Sequence, residues 1–284
     1  MGALMSLSHA CRMGSVHQKD LAASALMYMA DFEENRDRLM TIAPCFLQLM
    51  QEGLSAHKGC SAAILSKLTM NPDYLNPLRE IGFVAPLVSM CANGNRTEKD
   101  FSVAALMNMA ANTLNKAAIR DSGGIPPLVE LCKTGSISQI EKAAGALGNL
   151  AVDPNNQDAI RVASGLRPLV DLLLFKSGTP NLRENAAVAI KNLAVNIVNQ
   201  RVFREIGALR PLLDLVKNGL SLQRQHAAGA LWNLALHPAN KDEMRRCGCL
   251  KPLLQLLVDG KTDEQFNAIG ECLWNNSVQF ERVD

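Results

Sequence analysis

Apolar side chains recur at helical spacing along most of the chain. In the segment around Asn149 they lie three and four residues apart, which places them on one stripe of a helix. They are Ile140, Ala143, Ala144, Leu147, Leu150 and Ala151. A shorter segment over 156–163 and an aliphatic run over 169–174 predict two further helices. The pattern therefore predicts a unit of three helices and no strands.

This unit repeats with a period of about 42 residues. Its most regular marks are five asparagines, spaced 41, 43, 41 and 42 residues apart, which we call the asparagine ladder: Asn108, Asn149, Asn192, Asn233 and Asn275. A proline lies 19 residues after each of the first four, where it fits the first turn of the second helix. Such regularity predicts a stack of copies of one unit.

The repeat pattern also sets the predicted domain boundaries. Six full periods lie between residues 28 and 275, with Tyr28 and Lys67 at the ladder position of two degenerate copies. We predict a flexible N-terminal segment over residues 1–17, an all-α superhelical array over 18–278 with partial repeats at its ends, and a C-terminal tail over 279–284.

Composition narrows the class of partner. Apolar residues make up 48% of the chain and aromatic residues only 4%, so the core is built mainly from aliphatic side chains and alanine. The 29 basic and 27 acidic residues leave a formal charge of +2. This balance gives no electrostatic reason for binding nucleic acid, and we predict none.

The eight cysteines fit a structural role. Cys91, Cys132 and Cys272 occupy positions where other copies have leucine, valine or alanine, which predicts core packing. Cys247 and Cys249 lack the C-x-x-C spacing and the second ligand pair of a zinc site. We therefore predict no metal site and a reducing compartment such as the cytoplasm.

No group of residues reads as catalytic. The five histidines are scattered, and the sequence contains no nucleophile elbow, zinc-protease motif, phosphate loop or dinucleotide-binding motif. We predict that the protein is not an enzyme and has no cofactor or small-molecule substrate.

Three stretches resemble armadillo repeats: AAGALGNLAVDPNNQDAIRVASGLRPLVDLL from Ala143 to Leu173, AAVAIKNLA from Ala186 and AAGALWNLA from Ala227. The resemblance covers residues 18–278. It implies a right-handed superhelix of three-helix repeats whose third helices line a concave groove. In that family the groove typically binds an extended partner segment, and the matching asparagine holds the main chain of the bound peptide.

Helix geometry independently predicts where the asparagine ladder points. At about 100° per residue, Asn149 lies about 200° from Leu147 and faces away from the core, beside Ser138, Lys142 and Gly145. A primary amide is both donor and acceptor, so a row of them suits pairing with the backbone of an extended chain. Lys142, Asn185 and His226, one or two helical turns before ladder positions, complete the predicted partner-binding set.

Another interpretation of the ladder stays open. An asparagine near a helix end can cap that helix or bond to a neighbouring repeat, and duplication of the unit alone would preserve it. The position four residues before each ladder asparagine carries tryptophan in the nuclear-import adaptors of the family. Here it holds Ala104, Gly145, Val188, Gly229 and Glu271, while Trp232 and Trp274 directly precede their asparagines.

The first residues hold a second motif. Met1-Gly2-Ala3-Leu4-Met5-Ser6 matches the acceptor pattern for N-terminal myristoylation at Gly2, and Cys11 is placed to carry a palmitoyl group as the second anchor. No uncharged apolar run approaches the length of a membrane-spanning helix. Membrane attachment would therefore depend on acylation of Gly2 and Cys11.

These observations predict a cytoplasmic, non-catalytic scaffold that binds an extended or helical protein segment along the asparagine ladder. The main alternative is a structural subunit built permanently into a larger assembly. An acyl-anchored membrane adaptor and a nuclear-import adaptor are two further interpretations.

Overall fold

The computed structural model of the chain describes residues 2–175 and 178–259. These residues form nineteen α-helices and two short 3-10 turns, and they contain no β-strand. Helix is thus the only regular structure in the described ranges, as the apolar spacing predicts. The chain divides into two compact units, residues 1–131 and 132–284.

The first unit opens with two helices that precede the first complete three-helix repeat. Its helices are α1 (Gly2–Met13), α2 (Val16–Ala30), α3 (Arg36–Met40), α4 (Ala43–Glu52), α5 (Ser55–Leu68), α6 (Leu75–Ile81), α7 (Val84–Asn93), α8 (Arg96–Met109) and α9 (Thr113–Asp121). The 3-10 turns Glu33–Asn35 and Pro72–Tyr74 lead into α3 and α6. Helix α10 (Ile125–Thr134) spans the boundary with the second unit.

The second unit continues the same order. Its helices are α11 (Ile137–Leu150), α12 (Pro154–Val162), α13 (Leu166–Leu173), α14 (Pro180–Leu193), α15 (Ile197–Glu205), α16 (Leu209–Asn218), α17 (Ser221–Ala235), α18 (Pro238–Arg246) and α19 (Leu250–Asp259). In each repeat a short first helix leads to a second helix and then to a longer third helix. The third helices are α2, α5, α8, α11, α14 and α17.

Side-chain caps fix where many of these helices begin. Ser15, Asn95 and Ser136 each accept from the backbone N–H three residues later, and the Gln or Glu at that position bonds back to the cap. First helices use a related device, since Asp153 and Asn196 accept two backbone N–H groups each. These local hydrogen bonds mark where the helices begin.

In five of the six described repeats, the turn between the first and second helix contains a left-handed residue. It is glycine in four repeats and Ser164 in the fifth, with φ of +60°. Gly165 directly follows Ser164 but has φ of −77°, so the serine takes the conformation that glycine adopts more readily.

The predicted apolar stripe faces the core. In α11, Ala143, Ala144, Leu147 and Leu150 are completely buried. The third helices pack closely: a Cβ built on Gly148 would lie in van der Waals contact, 3.5 Å from the backbone nitrogen of Ala189 in α14. Close stacking of the third helices holds their outer faces side by side.

A second row of asparagines lies inside the array. Asn156, Asn199 and Asn240 on the first helices are completely buried. Their Nδ2 groups donate to the carbonyl oxygens of Leu150, Leu193 and Leu234, at 3.1, 3.1 and 2.9 Å. They satisfy acceptors that the end of each third helix leaves without an intrahelical partner. Their recurrence therefore has a structural cause.

The N-terminal segment differs from the prediction. We expected residues 1–17 to be flexible, but Gly2–Met13 is helix α1. This helix packs on α2 and α4, as the second helix of a repeat does, with Cys11 as its buried residue. The helix contacts α2 and α4. The apolar pattern within residues 1–17 alone does not predict these contacts. The predicted tail over 279–284 lies outside the described residues.

Candidate functional site

The asparagine ladder lies on the outer faces of the third helices. Asn108, Asn149 and Asn192 are half-buried, and Asn233 retains 8% exposure. On α11, Ser138 is exposed and Lys142 and Gly145 are half-buried, which matches the outer face expected from helix geometry. Asn275 lies outside the described residues.

Each ladder amide whose contacts are described donates to the preceding repeat. Asn192 Nδ2 lies 2.9 Å from the carbonyl oxygen of Gly148, and Asn233 Nδ2 lies 2.8 Å from that of Lys191. In the first unit, Asn108 Nδ2 lies 3.2 Å from Thr69 Oγ1. The amides therefore join neighbouring repeats, as the alternative interpretation of the ladder anticipated.

One half of the amide remains available in the second unit. Within the described ranges, the Oδ1 atoms of Asn192 and Asn233 accept no hydrogen bond, and neither atom is buried. Because the Nδ2 bond fixes the orientation of each amide, the acceptor is held in place on the outer face. Asn192 and Asn233 therefore present pre-oriented carbonyl oxygens on this face.

The three flanking residues have different surroundings. Lys142 Nζ donates to Ser138 Oγ at 2.9 Å on the same helix. Asn185 Nδ2 donates to the carbonyl oxygen of Glu141 at 3.0 Å, which is another bond between third helices. His226 lines a pocket between α14 and α17. Of these three residues, His226 is thus the one that lines the same pocket as two ladder amides.

This pocket, of about 630 Å³, lies on the outer faces of α14 and α17. Its polar lining includes Asn192, Asn233, His226 and Lys191. Its apolar lining is Val195, Trp232 and Leu236. Two consecutive ladder asparagines therefore share one concave surface with an indole and two aliphatic side chains.

The electrostatics of the pocket are set by a lysine and a neutral histidine. Burial, and secondarily the nearby ammonium of Lys191, lower the pKa of His226 to about 4, so this imidazole is uncharged at neutral pH. The Lys191 side chain lies over Gly229. A Cβ built on Gly229 would lie 3.0 Å from Cδ of Lys191. No acidic side chain is among the described residues that line the pocket.

Sequence reasoning missed the apolar part of this site. Val152, Val195 and Leu236 each lie three residues after a ladder asparagine and are 62%, 60% and 50% exposed. The signal was present, because aliphatic residues recur at this position. It was hidden because large apolar residues near a helix end are normally assigned to the core.

The predicted core cysteines Cys91 and Cys132 are buried. Burial also raises the pKa of the Cys249 thiol to about 12. Cys272 lies outside the described residues. Within residues 2–175 and 178–259, no three metal-binding side chains cluster.

The two predicted lipid sites differ in accessibility. Gly2 is exposed at the start of α1, and its myristoylation stays a prediction. The Cys11 side chain is only 1% exposed, so palmitoylation there would require α1 to leave α2 and α4. No helix in the described part of the chain has the length and apolar character to cross a membrane.

Comparison with known proteins finds a repeat model that matches part of this chain. The model of the Armadillo/beta-catenin-like repeat matches residues 112–152 and 153–195. The chain contains armadillo repeats. No curated protein matches the sequence.

Solved armadillo structures extend this match in three dimensions. A crystal structure of computationally designed armadillo repeat proteins for modular peptide recognition has a TM-score of 0.75 and 26% identity, covering 82% of this chain and 98% of that one. A designed armadillo repeat protein in complex with the peptide (KR)4 has a TM-score of 0.73 and 24% identity, with coverage of 82% and 98%. An engineered protein with a TM-score of 0.88 and 24% identity covers 97% of this chain and 68% of its own. These matches confirm the armadillo solenoid fold class.

Proposed function

We propose that this armadillo protein is a non-catalytic scaffold that binds an extended segment of a partner protein along the asparagine ladder. The observation that carries the proposal is how two ladder amides are used. Nδ2 of Asn192 and of Asn233 donates to the preceding repeat, while Oδ1 of each is left without a protein donor in the described residues. These oriented acceptors suit the backbone N–H groups of an extended chain.

The exposed aliphatic row beside the ladder supports the same function. A backbone-binding row gives affinity without sequence selection, and adjacent pockets for side chains supply selection. The pocket lined by Val195, Trp232 and Leu236 is such a neighbour. Two solved armadillo relatives, described as made for modular peptide recognition or as complexed with a peptide, give the proposal independent support.

A display library of random peptides tests the proposal. We expect selected peptides to lose affinity when Asn149, Asn192 and Asn233 are changed together to alanine. We also expect them to slow amide hydrogen exchange along α11, α14 and α17. Unfolding in urea must be measured in parallel, because the same change removes bonds between repeats.

The matched control is Asn155→Ala, which removes an exposed asparagine from first helix α12. Peptide affinity should be unchanged in this variant. Peptides that protect the first helices instead, or that bind the folded triple variant as well as the parent, would contradict the proposal.

A further inference from the structure

The pocket between α14 and α17 combines two different side chains from one repeat position. Lys191 and Trp232 each directly precede a ladder asparagine, and both line the pocket. An ammonium and an indole therefore lie beside the same two ladder amides. This pairing makes the pocket chemically different from a uniform backbone-binding row.

The apolar side of the pocket lacks a cover. Val195 and Leu236 are 60% and 50% exposed, and the half-buried Trp232 lines the same pocket. Trp232 Nε1 is buried and has no hydrogen-bond partner within the described residues. A large apolar side chain placed in the pocket would remove the exposed parts of Val195, Leu236 and the indole from water.

The polar side of the pocket carries one charge. No carboxylate of the described residues lies within ion-pair distance of Lys191, and none lines the pocket. His226 contributes a neutral imidazole. The local charge is therefore positive and unbalanced, which complements an acidic group and repels a basic one.

We infer that this pocket receives a large apolar side chain of the bound segment and pairs an adjacent acidic residue of that segment with Lys191. The inference rests on the proposed function, because the ladder must first hold the segment. It assigns the partner a chemistry: an extended stretch in which a bulky apolar residue stands next to aspartate or glutamate.

Synthetic peptides test this assignment. Three sets share one polar background and contain phenylalanine next to glutamate, phenylalanine next to lysine, or serine next to glutamate. We expect the phenylalanine–glutamate set to bind best. Lys191→Glu should weaken that set at least about tenfold and strengthen the phenylalanine–lysine set. Val195→Ser with Leu236→Ser should weaken both phenylalanine sets.

Lys217→Glu is the matched control, since it makes the same charge change at an exposed residue of the second helix α16, outside the pocket and the ladder. Equal effects of the two lysine variants, or a preference of the parent for phenylalanine–lysine peptides, would overturn the inference. If phenylalanine peptides bind whatever their neighbour and still need the ladder asparagines, the groove stands and the pocket assignment fails. If no set binds the parent protein, both proposals fail.

Discussion

Ser164 has a left-handed conformation at a turn where glycine has it in four other described repeats. A side chain is disfavoured there because its Cβ crowds the backbone. Ser164→Gly should therefore raise the free energy of unfolding by about 1 kcal/mol in urea titrations.

The reverse change provides the control. Gly207 has φ of +77°, and an added Cβ would meet nothing within 4 Å. Gly207→Ala should therefore lower stability by about 1 kcal/mol through the backbone alone. Equal stabilities of Ser164→Gly and the parent would show that the turn tolerates serine.

Asn199 illustrates the buried asparagine row. Asn199→Ala removes the donor to the carbonyl oxygen of Leu193 and leaves a cavity in a completely buried position. We expect a loss of about 1–3 kcal/mol in urea unfolding. The exposed Asn155→Ala should stay within about 0.5 kcal/mol of the parent. Similar values for the two variants would contradict a structural role for the buried row.

His226 gives a pH dependence whose sign follows from burial. Its pKa is about 4 in the folded protein and near 6.5 in the unfolded chain. As the pH falls from 6.5 to 4, the unfolded chain takes up the proton first, so stability decreases across that window. His226→Gln should lose less stability between pH 7 and pH 4.5 than the parent in urea titrations. Equal losses would show that His226 is already accessible to protons when folded.

The direction of a side chain could be predicted where it depends on the geometry of a single helix. The outward direction of Asn149 follows from its angle to Leu147, and the observed exposure of α11 agrees. The bond from Asn192 to the carbonyl oxygen of Gly148 could not be derived, because it depends on how two repeats stack. The pocket beside Trp232 was missed for the same reason.

Helix α1 makes a prediction at the scale of an element. His9 is exposed near the middle of α1, so His9→Pro removes no packed side chain but costs about 3 kcal/mol of helix stability. We expect the helix to detach and Cys11 and Cys45 to react faster with N-ethylmaleimide, as measured by mass spectrometry. His9→Ala should leave both rates unchanged. Rapid labelling of Cys11 in the parent would show that α1 is not stably packed.

Element boundaries were predictable wherever a cap and an apolar stripe agree. The third helix α11 shows both, with the capping box at Ser136 and a buried stripe of alanine and leucine. In helix α1 the buried residue is Cys11. Helix α1 is held in place by its contacts with α2 and α4. The sequence pattern within this segment therefore could not reveal it.

Net charge is a property of the whole molecule. A formal charge of +2 from 29 basic and 27 acidic residues gives little counterion release on a polyanion. We expect binding to duplex DNA of arbitrary sequence to be weaker than about 10⁻⁴ M at physiological salt, as measured by fluorescence anisotropy. Tighter binding that falls steeply with added salt would reveal a concentrated basic surface and contradict this expectation.

The hydrogen bonds between ladder amides and backbone carbonyl groups allow repeat stacking and ligand specificity to vary independently. Asn192 bonds to the backbone of Gly148, and Asn233 bonds to the backbone of Lys191. In these two joints the acceptor is a main-chain oxygen, so the bond forms beneath a glycine as well as beneath a lysine. The side chain at that position, which becomes a tryptophan at 232, is thus open to evolutionary change without altering how repeats stack. Repeats joined in this way could acquire different ligand preferences one position at a time.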